Sequence, residues 1–152
     1  MKIAQTLAAG LAAFGLLAAV PASAAPMSSA EKLRRLDIML MVTGLRCRTS
    51  ADNFQPDYGR FTAAHLDTLN AASDSLKADL SRRFGAAGAN RALDRLSTQM
   101  ANQYGQGHPW LNCGQLKQVA RSLADMRGSA PLVEAADALL ERGPQRLAWL
   151  RK

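Results

Sequence analysis

Histidine and cysteine are scarce in this chain, and that scarcity narrows its chemistry before any element is assigned. There are two histidines, His65 and His108. A zinc site wants four nearby ligands, and neither H-x-x-x-H nor E-x-x-H places a metal pair on one helix face. The two cysteines, Cys47 and Cys113, form no C-x-x-C, which excludes a thioredoxin-like pair, and no C-x-x-C-H, which excludes haem attachment. Aromatic residues make up 5% of the chain and do not interleave with basic ones, as nucleic-acid binding would need. There is no G-x-S-x-G and no phosphate-binding loop. Gly85-Ala86-Ala87-Gly88 has the wrong glycine spacing for a dinucleotide fingerprint, and no strand precedes it. Sustained alternation of β-branched residues is missing, so no strand is expected. No block of five or six like charges occurs. These absences point to no cofactor, no metal and no nucleic acid.

What is present begins with an export signal. Lys2 supplies a positive start, and Ile3 to Val20 carries no charge and is rich in Ala and Leu. Pro21 ends the run, and Ala22-Ser23-Ala24 sets small residues where a signal peptidase reads them. Residues 1–24 are therefore expected to be a cleavable signal peptide, with Ala25 an alternative last residue. The run is broken by Gln5, Thr6, Gly10 and Gly15, which suits a membrane anchor poorly. No later segment approaches spanning length, so the mature protein is expected to be soluble, in the periplasm or secreted.

The mature part, 25–152, is sized for one domain. The whole chain holds 19 Lys+Arg against 12 Asp+Glu; loss of Lys2 leaves 18 against 12, or +6. This basic balance suits an acidic protein or an anionic envelope component. It equally suits a solvated surface, because the charges alternate in sign along most segments. In an oxidising compartment two cysteines usually pair, so Cys47 and Cys113 are expected to form a disulfide. The loop it closes is long, and the chain-entropy model puts the stabilisation at about 4 kcal/mol as an upper figure.

Helical periodicity dominates the mature part. Ser28-x-x-Glu31 is a capping-box pattern, starting a helix whose apolar face holds Leu33, Leu36 and Leu40 and, offset, Met39, Val42 and Leu45, and which ends near Cys47. Residues 49–60, with Pro56 and Gly59, read as a loop. A second helix carries the stripe Phe61, His65, Leu66, Leu69, Ala72, Leu76 and Leu80 and ends at Phe84-Gly85, where Gly85 is free to turn left-handed. A third carries Leu93, Leu96, Met100 and Tyr104. The fourth begins near Trp110 or Asn112, and the fifth takes Pro131 in its first turn. Gly143-Pro144 stops the fifth, and Leu147, Trp149 and Leu150 are placed to pack back on the core. The expected fold is an all-α bundle of about five helices stapled by one disulfide. Short loops predict antiparallel sequential neighbours, which brings Cys47 and Cys113 to one end.

The densest unusual segment is Tyr104 to Cys113, which contains His108 and Trp110. His108 is suited to titrate near neutral pH and Trp110 to stack on a ligand. The plainer reading has the glycines and Pro109 making a turn and Trp110 plugging the core. Arg46 and Arg48 flank Cys47 as an anion site, or simply compensate the carbonyls of a helix end. Asp57 and Tyr58 lie in the 52–60 segment, which misses the calcium-loop pattern. His65 reads as a core histidine with a hydrogen-bond partner.

The runs ADNFQPDYGRF and MANQYGQGHPWLNC resemble those of short exported alphaproteobacterial proteins of the sphingomonad type. The likeness covers most of the mature chain. It implies an exported, two-cysteine helical protein and brings no activity with it. The function expected is non-enzymatic binding of a protein or envelope component. The alternative is a small envelope hydrolase using His108 or His65 with a carboxylate. An anionic-polymer binder would gather its excess Arg on one face.

Overall fold

A computed structural model describes residues 26–140, and every described element is helical: α1 (Ser29–Cys47), α2 (Gln55–Ala64), α3 (Leu66–Tyr104), α4 (Cys113–Asp125) and α5 (Ser129–Leu140). The expected signal peptide, its expected cleavage point and the packing expected of residues 143–150 fall outside the described residues. Among the described residues no helix is long and apolar enough to cross a membrane.

α1 and α4 start where a side chain satisfies an orphan N–H group, and α2 starts at a proline that has none to satisfy. Ser28 accepts from the Glu31 N–H at 3.1 Å and caps α1. The reciprocal half of that box is not made; Glu31 pairs instead with Arg35 at 3.8 Å. The complete capping box belongs to α4: Asn112 Oδ1 accepts from the Gln115 N–H, and Gln115 Oε1 from the Asn112 N–H, at 2.9 and 3.0 Å.

The 49–60 segment departs from its expected loop. Only its first part is irregular; α2 starts at Gln55. Pro56 sits in the first helical turn, where the missing N–H costs nothing, so it starts this helix rather than breaking one. Asn53 Oδ1 accepts from the Gln55 N–H at 3.0 Å and sets the entry. Phe54, fully buried, folds back onto α1 over Gly44. A β-carbon at Gly44 would meet the Phe54 ring at 3.4 Å, so glycine permits this close approach.

The expected second helix is also divided differently. It breaks at His65 (φ −121°), between α2 and α3. At this break Leu66 turns outward and is 57% exposed, against its expected place on the buried stripe. The expected stop at Gly85 is present, with φ 72° and ψ 165°. This is a positive-φ reversal, not the left-handed cap conformation. Straight α-helix would set Leu76 and Leu93 roughly 25 Å apart. Instead Leu76 and Leu80 share one apolar cluster with Ala89 and Ala92, and Leu93 packs against it. The two halves of α3 therefore fold back on each other as a hairpin arm, rooted where Ala72 and Tyr104 enter the main core.

The main core gathers Leu36, Met39 and Leu40 of α1, Phe61 of α2, Leu123 of α4 and Leu139 of α5. Its principal pairings are α1 with α3, α2 with α4 and α1 with α5. The two halves of α3 are the expected second and third helices, folded back as sequential neighbours, and α1 lies against them; α2 with α4 and α1 with α5 pair elements that are not adjacent in sequence. Cys47 and Cys113 are bonded, with 5.8 Å between their Cα atoms. The last residue of α1 is thereby tied to the first of α4, as the cysteine count implied.

Gly85 generates a test. Its φ/ψ pair lies in a region that only glycine occupies readily, while a β-carbon there would meet nothing within 4 Å. The cost of Gly85→Val is therefore a backbone cost, about 1–3 kcal/mol. Urea unfolding of the variant should show a lower midpoint; an unchanged midpoint would contradict the hairpin reversal.

Candidate functional site

The segment after α3 is placed by three anchors: Tyr104 below it, the disulfide beyond it, and α5 beside it. Gly107 turns the chain with φ 106°. His108 is then carried inward and is only 9% exposed. Its Nε2 lies 3.2 Å from the Leu139 carbonyl, and its Nδ1 lies 3.4 Å from the Trp110 N–H. A carbonyl only accepts and an N–H only donates. The two contacts together define a neutral ring with its proton on Nε2. Tyr104 stacks on the ring at 6.1 Å and Trp110 meets it edge-on at 4.8 Å. Burial pushes the His108 pKa down from its ordinary value of 6.5; the bond to the Leu139 carbonyl acts in the opposite sense and is the smaller effect.

His65 is also inside the protein, 5% exposed, with Nε2 2.7 Å from the Leu123 carbonyl. It links the α2–α3 break to α4, which is the core role expected of it. Among the described residues neither imidazole hydrogen-bonds to a carboxylate, and no cluster of His, Cys, Asp and Glu is arranged to hold a metal.

Asp57 and Tyr58 are drawn into the framework. Arg121 Nε donates to Asp57 Oδ1 at 3.0 Å, joining α2 to α4. Tyr58 donates its hydroxyl to Asp37 Oδ1 at 2.8 Å, joining α2 to α1. Asp37 lies 3.6 Å from Arg34. Burial raises the Asp37 carboxyl above its ordinary range, partly offset by the Tyr58 hydroxyl and Arg34. Burial and the adjacent Asp37 charge push the Tyr58 phenol up strongly. A phenol that keeps its proton and donates it to a carboxylate in this way forms a structural tie between helices.

Trp110 and Arg46 are the candidates that the structure brings to the His108 region. Arg46 is the charged one of the two. It lines a cavity of about 220 Å³ together with Cys47, Gly107, His108 and Cys113. Its Nη1 reaches the Gly105 carbonyl at 3.5 Å. Arg46 also borders a second, open hollow of about 420 Å³, shared with Val42, Leu45, Arg48, Thr49 and Gly105. Leu45 is 46% exposed there, and Met41, one helical turn earlier, is also exposed. Leu45 was expected on the buried apolar face of the first helix, but Leu33, Leu36, Met39 and Leu40 fill the core side and leave it outside; Met41 was not singled out by that pattern. Both lie on one outward face at i and i+4, a spacing visible in the sequence. A larger cleft of about 710 Å³ opens between the first turns of α1 and α5 and the start of α3, floored by Leu33, Ala72 and Val133.

Comparison with known proteins finds no matching family model, curated protein or solved structure.

The His108 geometry has a pH consequence. A depressed folded pKa means that the unfolded chain binds the proton more readily, so the fold loses stability as pH falls below 6.5. Above that value the neutral ring is the resting form in both states and the effect vanishes. His108→Gln should flatten the stability difference across this acid window when compared with wild type by urea unfolding at several pH values. Taking the difference cancels Asp37, which is common to both. Parallel pH profiles would contradict the placement of His108.

Proposed function

We propose that the chain is an exported, periplasmic or secreted, non-enzymatic interaction protein that binds a protein or an anionic envelope component. The export reading rests on the sequence of residues 1–24 and is consistent with the disulfide. The resemblance to short exported alphaproteobacterial proteins points the same way.

One observation carries the interaction reading: the outward chemistry is apolar and cationic, while the groups suited to catalysis hold the helices together. Leu45 and the hollow beside it are flanked by Arg46 and Arg48. Among the described residues, neither guanidinium has a carboxylate partner. An apolar side chain next to an acidic group fits such a surface, since Arg pairs with carboxylate through directed N–H bonds. The hydrolase alternative needs an accessible imidazole beside a carboxylate. His108 and His65 are buried against main-chain carbonyls instead.

A photo-activatable cross-linker placed at Leu45 of the oxidised mature protein should capture one discrete adduct from envelope extract. The same group at Thr98, exposed on α3, should not. Equal capture at both positions, or none at Leu45, would contradict the reading.

A further inference from the structure

The hairpin arm of α3 ends in a tip that the core does not use. Arg82 to Ala87 are exposed without interruption. Phe84 is 49% exposed, the one aromatic among the exposed large hydrophobic residues. It is held in place: a β-carbon at Gly88 would approach the Phe84 Cβ to 3.0 Å, so the stem of Phe84 rests on Gly88 while its ring stays outside. The Arg83 guanidinium lies over that ring, 5.2 Å from its centre. From Phe84 to Asn90 there is no charge; Arg83 and Arg91 bracket the segment.

The distribution of unpaired charge leads to the same place. Lys32, Arg34, Arg35, Arg60, Arg82 and Arg121 each have a carboxylate partner. Eight described basic residues have none, and four of them, Lys77, Arg83, Arg91 and Arg95, belong to the arm. An uncharged tip with one aromatic ring and a collar of cations is complementary to an anionic lipid surface. The ring enters the interfacial zone, and the guanidinia reach the phosphates. Arg83, Phe84 and Arg91 are all exposed at this chain reversal, so ring and guanidinia are presented together, the arrangement that a headgroup interface takes.

We infer that the tip of the α3 arm docks the protein reversibly on a phospholipid bilayer with anionic headgroups, Phe84 inserting and Arg83 and Arg91 holding phosphate. This rests on the interaction reading above and gives its envelope component a chemical identity. Each cation near such a surface contributes roughly 1 kcal/mol, so two arginines and one half-buried ring give weak, salt-sensitive attachment.

The test is co-sedimentation of the oxidised mature protein with vesicles of phosphatidylethanolamine and phosphatidylglycerol, against vesicles of phosphatidylcholine alone. Binding is expected to the first, with release at high salt. Phe84→Ser should lower the partition coefficient about tenfold, and R83Q/R91Q together about twentyfold or more. Leu66→Ser, at an exposed apolar side chain that belongs to neither surface, should change nothing, and circular dichroism should show all variants folded. Equal binding to both vesicle types, binding to neither, or indifference to Phe84→Ser would overturn the inference. Vesicle failure with an intact Leu45 cross-link leaves the interaction reading standing and removes the membrane. The reverse outcome removes the α1 surface and keeps the tip.

Discussion

The Cys47–Cys113 bond sets the geometry on which the rest of the molecule depends. It joins the last residue of α1 to the first of α4 across a sequence separation of 66. The chain between them must leave α1, form α2 and the α3 arm, and return to the same point. That closure forces the tight 105–112 return, in which His108 is drawn under α5 and Asn112 is delivered as the cap of α4. A small helical domain gains much from such a staple, because its unfolded chain loses freedom that it would otherwise keep.

Within this frame the polar side chains act mainly as ties. Asp57 with Arg121, Tyr58 with Asp37, and the two histidines with Leu123 and Leu139 each connect elements far apart in sequence. Burial selects this use, since a polar group removed from water must find a partner. What remains outward is of a different kind: the arginine-flanked hollow at the end of α1 and the Phe84 tip of the arm. Under the proposed function, recognition falls to the surface and stability to the interior.

Much of this was legible in the sequence because it is local. Ser28 reads as a cap from its own hydroxyl and the helix that follows, and it is one. Gly85 reads as a break because few other residues adopt positive φ. The cysteine pair follows from count and compartment. The errors arise where the deciding partner is distant. Pro56 reads as part of a loop, yet it starts α2; Phe54 docks beside Gly44, a contact with α1 that no local pattern shows. Leu66 fits a continuous stripe only if His65 stays helical, and His65 instead turns to reach Leu123. Periodicity identifies a buried face without naming its partner, so the pairings α2 with α4 and α1 with α5 were out of reach. The candidate surface was hidden for a related reason: Leu45 looks like a core residue until the rest of α1 is seen to fill the core side.

The Cys47–Cys113 bond is the covalent tie that stabilises the helical body. Urea unfolding of the oxidised protein beside the Cys47→Ala/Cys113→Ala variant tests it most directly. The account predicts a single cooperative transition for the oxidised form and a loss of up to about 4 kcal/mol in the variant. Coincident unfolding curves for the two forms would contradict it.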